Sequence, residues 1–562
     1  MKTCNLYFSV GIITLFCMTG CQNRDSRTKA ELMNIELLRG DIIMCGGKDF
    51  GDVSFATACQ DSVRETFDLA ISLLHSFEYE EAEKAFVKVI DADPDCVMAY
   101  WGVAMSLYPA LWAPPDKEKL EKGAKILRIA ASLPKTEREK DYLDAVRVYY
   151  NDWEHVDART RATKLANSME ALYNKYRDDT EAAIFYALTL NATADPTDKS
   201  YANQRKAGQI LEPLFLEKPN HPGIAHYIIH SYDNPGLASR ALSTARKYSS
   251  IAPASAHAQH MPSHIFVRLG LWGEAIQSNL NSTSSAICYA ESAGFDGHWD
   301  EELHGMDYLV YAYLQEGNNA KAIEQNSYLN TIKKVYPVNF KDAYAIAAIP
   351  ARIVLENKNW KNAAVLNFSP IGFPWEKFPW QSAILHFTRA LGAAHLGDIQ
   401  QAEKEIQALR ALHKVLVDRN VPYEANQVQI QLNAAQAWLD FANGSYDSAL
   451  VLMREAAEME DNTTKHPVTP CEVLPARELL GDMLLAMHKN VDAFRAYEQD
   501  LKDHPNRLNG LYGAAVALKN QGKAGEANNY FEKLVELTGS TDTDRPEIKE
   551  AKRELLTINQ TK

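Results

Sequence analysis

The stretch from Gly481 to Leu534, GDMLLAMHKNVDAFRAYEQDLKDHPNRLNGLYGAAVALKNQGKAGEANNYFEKL, decides the fold. Its small residues Ala493 and Ala527 are 34 residues apart, and the large aromatic residues Tyr497 and Phe531 follow them at the same interval. Apolar residues between these positions recur at helical spacing, with a turn after each run. A fixed period of this length predicts consecutive helix-turn-helix units that bury their apolar faces against each other.

The same pattern occurs near the start of the chain, from Leu69 to Leu107, where Ala82 is followed by Phe86 and then by Pro94. Less regular copies surround four further alanines, Ala322, Ala363, Ala402 and Ala449. The pattern resembles the tetratricopeptide repeat and covers the chain from about residue 61 to residue 537. This resemblance implies an all-α fold, an α-solenoid of tetratricopeptide-like helix-turn-helix repeats stacked into a right-handed superhelix, with first helices on the concave face.

The N-terminus, MKTCNLYFSVGIITLFCMTGCQNRDS, has the layout of a bacterial lipoprotein signal. An apolar run from Leu6 to Met18 precedes Thr19, Gly20 and Cys21, and the run is shorter than a typical membrane-spanning helix. Small residues before a cysteine are typical of lipid attachment, although Met18 stands where leucine is more common. We therefore expect lipidation at Cys21 and a location at the bacterial cell envelope, facing the periplasm or the outer surface.

The repeat pattern and the signal together predict six segments. They are a signal peptide (1–20), a lipid-anchored tether and loop (21–60), N-terminal repeats (61–190), central histidine-rich repeats (191–340), C-terminal repeats (341–540) and a tail (541–562).

The charge of the chain limits its partners. A net charge of −14 and a pI near 5.7 argue against nucleic acid and anionic lipid as partners, since phosphate binding needs concentrated Lys and Arg. We expect a protein, a peptide or a small ligand in the concave groove, and membrane contact through the N-terminal lipid only. The oligomeric state stays open.

Five cysteines follow Cys21, so that an oxidising compartment would leave at least one of them outside intramolecular disulfides. Cys59 and Cys96 each lie just before the first helix of a repeat, at the same end of neighbouring helices. We prefer a Cys59–Cys96 disulfide, with Cys45–Cys59 as the alternative.

Histidines concentrate between Asn220 and Gly270, where six of the sixteen occur. Ala241 and Ala275 lie 34 residues apart there, and the same shift carries His226 onto His260 and His230 onto His264. The two strings HYIIH and HMPSH are therefore equivalent positions of consecutive repeats. Nine other histidines, His75 among them, receive no predicted role.

Each histidine set follows one helical face. His226, His230 and Asp233 form the first set, and His257, His260, His264 and Arg268 form the second, where Pro262 must kink the helix or delay its start.

A third copy follows a 13-residue insertion, because Ala322 lies 47 residues after Ala275. A shift of 47 carries His257, His260 and His264 onto His304, Asp307 and Tyr311.

Imidazoles gathered on one face favour a divalent transition metal, because buried neutral imidazoles need partners and imidazolium ions would repel each other. The predicted metal ligands are His226, His230, Asp233, His257, His260, His264 and His304. The predicted ligand-binding residues are Arg268, Asp307 and Tyr311. Zinc is the first choice of metal, with copper or iron as alternatives.

Two other interpretations of this face stay open, a polar groove for an anionic peptide or small ligand and a purely structural network. Neither HxxxH string has a glutamate after its first histidine, so the zincin protease motif is absent. Other hydrolytic chemistry stays open, and no catalytic residue is assigned.

The strings HPGIAHYIIHSYD, HAQHMPSHIFVRLGLW and HPVTPCEVLPAREL are similar to a group of histidine-rich bacterial tetratricopeptide-repeat lipoproteins. The resemblance implies the fold and the place of the site but no substrate. The leading hypothesis is an anchored protein that binds a transition metal, or a ligand through it. The alternative is an envelope scaffold that docks a partner protein or an extended peptide.

Overall fold

The computed structural model describes residues 32–45, 49–369, 372–539, 541 and 543–559. The predicted signal peptide and the lipidation of Cys21 lie outside these residues. Within them, no helix is both long enough and apolar enough to cross a membrane.

Helices make up nearly all the regular structure. The first thirteen are α1 (Arg64–His75), α2 (Tyr79–Ala92), α3 (Val97–Ser106), α4 (Lys117–Ser132), α5 (Glu137–Tyr150), α6 (Ala158–Lys175), α7 (Thr180–Ala192), α8 (Ala202–Glu217), α9 (Pro222–Tyr232), α10 (Ala238–Ile251), α11 (Ala256–His260), α12 (Pro262–Leu269) and α13 (Trp272–Ser292).

The remaining helices are α14 (Asp300–Gln315), α15 (Asn319–Leu329), α16 (Phe340–Glu356), α17 (Trp360–Ala364), α18 (Pro379–Leu396), α19 (Ile399–Asp418), α20 (Pro422–Ala442), α21 (Tyr446–Asp461), α22 (Ala476–Ala486), α23 (Asn490–Asp503), α24 (Leu508–Asn520), α25 (Ala524–Thr538) and α26 (Pro546–Asn559). Short 3-10 helices span Asp61–Val63 and Trp375–Lys377. Two-residue strands β1 (His298–Trp299) and β2 (Val335–Tyr336) pair in parallel.

The helices belong to two compact units. Among the described residues, unit 1 contains 32–43, Phe50–Thr193 and Gln209–Tyr227. Unit 2 contains 44–45, Asp49, Ala194–Gly208 and the chain from Ile228 onward. This division does not test the six segment boundaries that the sequence predicts, so these boundaries stay predictions.

The 34-residue period corresponds to stacked helix pairs, as predicted. Helices α22 to α25 each pack against the next, and Ala493, Ala527 and Phe531 are at most 1% exposed. The Tyr497 ring packs where a side chain on Gly481 or Gly513 would overlap it, at 2.7 and 2.3 Å from the built Cβ positions. Small residues therefore let neighbouring helices close around one aromatic ring, which confirms the all-α solenoid fold.

Pro262 interrupts the histidine-bearing helix in unit 2. Helix α11 ends at His260 and α12 starts at Pro262, with Met261 still in the right-handed helical region at φ −53°. Proline has no amide hydrogen, so it cannot donate the backbone hydrogen bond that a continuous helix would need at this position. The helix therefore breaks at Pro262.

Two disulfides are present among the described residues. Cys59 is joined to Cys96 in unit 1, and Cys45 is joined to Cys288 in unit 2. The second pairing replaces the alternative Cys45–Cys59 bridge, and its separation of 243 residues explains why local spacing did not indicate it. Cys471 is a buried free thiol.

We expect Gly392→Ala to lower the stability of unit 2. An added Cβ on this residue of α18 would lie 2.3 Å from the backbone nitrogen of Ala364 in α17, which cannot move as a side chain can. Overpacking of this kind costs about 1–3 kcal/mol, measurable in urea unfolding followed by circular dichroism. The control is Gly525→Ala, since nothing lies within 4 Å of its built Cβ. Equal effects of the two substitutions would contradict the close contact.

We expect His395→Phe to make unit 2 less sensitive to acid. The His395 ring stacks on Trp360 at 3.8 Å and contacts Trp438 at 4.1 Å, and burial, partly opposed by Asp482 and reinforced by Lys358, lowers its pKa to about 4. Because the folded state takes up this proton less readily than the unfolded chain, stability falls as pH drops from about 6.5 to about 4.

A phenylalanine at position 395 keeps the ring contacts with Trp360 and Trp438 and removes the titrating imidazole. The unfolding free energy of the variant, relative to the wild type, should rise by about 2 kcal/mol between pH 7 and pH 5. Urea titrations at both pH values measure the difference, and parallel pH profiles would contradict it.

Candidate functional site

Three histidines of unit 2 meet in its interior. His260 ends α11, His264 lies in the first turn of α12 and His304 lies in α14. One nitrogen of each lies within 4.8 Å of the others. Their side chains belong to residues only 0%, 2% and 5% exposed, so this face is an interior site and not the open groove expected from the repeat. We call these three residues the histidine trio.

The closest approach in the trio joins two ring nitrogens, because His260 Nε2 and His264 Nε2 are 3.0 Å apart. The opposite nitrogens of both rings face acceptors. His260 Nδ1 is 2.6 Å from Asn279 Oδ1, whose own amide nitrogen donates to the Ala275 carbonyl at 2.8 Å. The Asn279 atom that faces the imidazole is therefore the oxygen, and His260 Nδ1 must carry the proton.

His264 is fixed in the same tautomer by a carboxylate. Its Nδ1 is 2.9 Å from Asp233 Oδ2, and Asp233 also accepts hydrogen bonds from Arg268 Nε at 2.9 Å and Lys465 Nζ at 2.8 Å. Burial alone would raise the pKa of Asp233, but Lys465 and Arg268 hold it well below its usual range. The carboxylate is therefore ionised and accepts the Nδ1 proton of His264.

The facing Nε2 atoms consequently present two lone pairs to each other. Burial and the neighbouring imidazoles hold the pKa of His260 well below its usual value. Burial also lowers the pKa of His264 to about 4, against the opposing effect of Asp233. Neither ring therefore readily takes up a proton that could lie between the two nitrogens.

His304 and Tyr308 complete the wall on the α14 side. The ring centroids of His304 and His260 are 4.2 Å apart, and burial lowers the pKa of His304 despite the opposing charge of Glu301. The Tyr308 hydroxyl is 3.4 Å from each nitrogen of His264. All three imidazoles of the trio are thus neutral at physiological pH, the form that binds metals.

His230 and His257 adjoin the trio. The His230 ring is 6.0 Å from that of His264 and 6.5 Å from that of His257, and the His257 ring is 6.2 Å from that of His260. His230 is partly exposed, whereas His257 is buried.

Three other predicted site residues form hydrogen bonds with residues outside the histidine trio. His226 belongs to unit 1, where its Nδ1 donates to the His75 carbonyl at 2.6 Å. Asp307 accepts from Arg352 Nε at 3.2 Å, and Arg507 donates to the Tyr311 hydroxyl at 3.3 Å.

The residues of α14 that lie beside His260 and His264 come about one turn before those that the 47-residue shift indicated. The positions beside His260 and His264 are occupied by His304 and Tyr308, and not by Asp307 and Tyr311. The 47-residue shift aligned alanines of the second helices. It therefore did not determine the relative position of the first helices along their axes.

A polar cavity of about 230 Å³ in unit 2 lies beyond Asp233. Arg268 and Lys465 line it, together with Glu472 and His504. His504 donates to Glu472 at 3.0 Å and to Asp500 at 2.9 Å, and although burial opposes it, Cys471 and Asp500 raise the pKa of His504 well above its usual value. The cations that orient Asp233 thus form one wall of a cavity.

Unit 1 contains a second buried group that spacing did not indicate. Glu181 accepts from His75 Nε2 at 2.8 Å and from His221 Nε2 at 2.9 Å, and the Tyr227 hydroxyl is 3.1 Å from His75 Nδ1. Burial would raise the pKa of Glu181, but the two histidines hold it below its usual range. Hydrogen bonds satisfy the facing atoms here, so this group stabilises the fold.

Several residues of the trio's surroundings also escaped prediction. Asn279 lies one helical turn after Ala275, and Tyr308 lies one helical turn after His304. Lys465 lies 232 residues from its partner Asp233, and no local signal could have connected them.

Comparison with known proteins gives only distant likenesses. No protein-family model and no curated protein matches this chain. Among solved structures, the human IFIT1 dimer with m7Gppp-AAAA is 15% identical, with 86% of this chain and 96% of that chain covered and a TM-score of 0.37.

The human IFIT1 dimer with PPP-AAAA is 14% identical, with the same coverage of 86% and 96% and a TM-score of 0.38. A likeness at this level does not extend to the site or its ligands. The expectation that this chain does not bind nucleic acid stays a prediction.

We expect Glu181→Gln to destabilise unit 1 by about 3 kcal/mol, because one carboxylate oxygen that serves a buried imidazole becomes an amide donor. The control is Glu137→Gln, since the Glu137 side chain is 78% exposed and pairs with Lys175 at the surface. Urea unfolding midpoints at pH 7 measure both. Similar small shifts in the two variants would contradict the role of the Glu181 group.

Proposed function

We propose that this protein binds a transition metal ion through His260, His264 and His304. The observation that carries the proposal is the 3.0 Å approach of two imidazole Nε2 atoms whose Nδ1 atoms are committed to acceptors. Two unprotonated nitrogens at this distance repel each other unless a cation lies against both. A metal ion bound by both lone pairs removes the repulsion.

The partners of the two rings support this proposal. Histidine ligands of metals typically donate their other ring proton to a carboxylate or a carbonyl, which fixes the tautomer and raises the basicity of the ligand nitrogen. Asp233 has this relation to His264, and Asn279 has it to His260. Arg268 and Lys465 position Asp233 in turn.

The donor set restricts the metal. Neutral imidazoles suit zinc, copper, iron and nickel, and nothing in three nitrogen donors requires redox chemistry, so zinc is our first choice. Three protein ligands leave a fourth position on zinc for water or for a donor atom of a ligand. Binding of a ligand through the metal is therefore the function that we propose, and hydrolysis is the reaction such a position would support.

We place this function at the bacterial cell envelope, on an N-terminal lipid at Cys21. The lipoprotein-like N-terminal sequence supports this location, and so do the two disulfides, since disulfides persist in oxidising compartments. The alternative function, docking of a partner protein or peptide on the histidine face, ranks second because the histidine trio is buried.

Elemental analysis of the protein purified without chelators or metal-affinity steps tests the proposal. We expect at least about one equivalent of metal per chain, lost in His264→Ala. Asp233→Asn should weaken zinc affinity by roughly 10- to 100-fold, because it acts through the orientation of His264.

The matched control is His413→Ala, which removes a partly exposed imidazole from α19. It should retain the metal content of the wild type, and circular dichroism should show all variants folded. Absence of metal in the wild type, together with failure to take up added Zn²⁺, would overturn the proposal.

A further inference from the structure

Glu301 is a buried carboxylate of unit 2 that is held in one orientation. It lies in the first turn of α14 and is 3% exposed. Lys341 Nζ donates to its Oε1 and also to Asp300 Oδ2, at 2.7 Å from the latter. The lysine thereby fixes one oxygen of Glu301 and turns the other, Oε2, toward the histidines.

Among the described residues, no hydrogen-bond donor reaches Glu301 Oε2. His257 Nδ1 lies 3.6 Å from this oxygen, which is longer than a hydrogen bond. A buried carboxylate oxygen without a donor is costly, and such atoms in folded proteins call for a specific explanation.

The separation of Glu301 Oε2 from His257 Nδ1 fits a cation that is bound to both atoms. A zinc ion about 2.1 Å from both atoms would see them at an angle of about 118°, near the tetrahedral value, for the observed 3.6 Å. Carboxylate oxygen and imidazole nitrogen are both ordinary ligands of zinc.

The same two helices supply the histidine trio and this pair. His257 precedes His260 by three residues on α11, and Glu301 precedes His304 by three residues on α14. Residues three apart lie on the same helical face, one turn along the axis. The pair of His257 and Glu301 therefore repeats the pair of His260 and His304 about 5 Å away.

From this geometry we infer that a second divalent metal ion binds between His257 and Glu301, beside the ion of the trio, to form a dinuclear centre. The inference rests on the proposed function, since the trio supplies the first ion. Two metal ions that lie about one helical turn apart suit a ligand that offers an oxygen donor to each. The ligand class is therefore a phosphate or carboxylate oxyanion. Water and that oxyanion complete the coordination of the second ion.

The test is the zinc content of the full chain, measured after dialysis against excess Zn²⁺ and removal of free ion. The wild type should retain about two equivalents and Glu301→Gln about one. The matched control is Glu302→Gln, which changes the next residue of α14, also buried, whose carboxylate faces Tyr328 and His298. This control should retain two equivalents.

The outcomes separate the two hypotheses. One equivalent in both the wild type and Glu301→Gln would overturn the second ion and leave the trio intact. No zinc in the wild type would overturn both. Loss of all zinc from a folded Glu301→Gln would also overturn the inference, because Glu301 would then belong to the first ion.

A second variant and a second measurement keep the inference testable if Glu301→Gln fails to fold. His257→Ala should likewise reduce two equivalents to one with an unchanged circular dichroism spectrum. Anomalous scattering at the zinc edge from crystals of the wild type should show two peaks, and a water molecule between His257 and Glu301 would contradict the second ion.

Discussion

The site depends on one close approach, that of His260 Nε2 to His264 Nε2 at 3.0 Å. Each imidazole is committed by its other nitrogen, one to an amide oxygen and one to a carboxylate. The lone pairs therefore face each other, and burial prevents the rings from becoming cations at neutral pH. The contact between the two lone pairs is unfavourable unless a cation lies against both nitrogens. The proposed metal ligands and the proposed role of Asp233 rest on this contact.

Asp233 connects this approach to the rest of unit 2. Arg268 and Lys465, which lie far apart in the sequence, both form ion pairs with its buried carboxylate. The same cations line the polar cavity, so the environment that orients His264 is continuous with a space that solvent or a small ligand can fill. On the other side, Lys341 holds Glu301 in a comparable way. Buried cations thus orient both carboxylates, Asp233 and Glu301.

Repeat register predicted much of the cluster. The 34-residue period related His260 and His264 to the earlier HYIIH string, and the third copy identified His304. Asp307 and Tyr311 lie about one turn further along α14, where they contact Arg352 and Arg507, and their ligand-binding role stays a prediction. The repeat period indicates which helices pack together, but it does not define their relative position along the helix axis. His226 donates a hydrogen bond to the His75 carbonyl within unit 1, and its role as a metal ligand stays a prediction.

The sequence by itself determined the all-α repeat fold, the interruption at Pro262 and the histidine-rich segment, because helical periodicity, small-residue spacing and proline chemistry are local properties. Only the tertiary structure decided that the histidine face is buried, that Cys45 pairs with Cys288, and that His75, Glu181 and His221 form one group. It also decided the partners of Asp233 and Glu301. These features join residues tens to hundreds of positions apart, and their energies arise from burial and from charge contacts that exist only after the helices have packed.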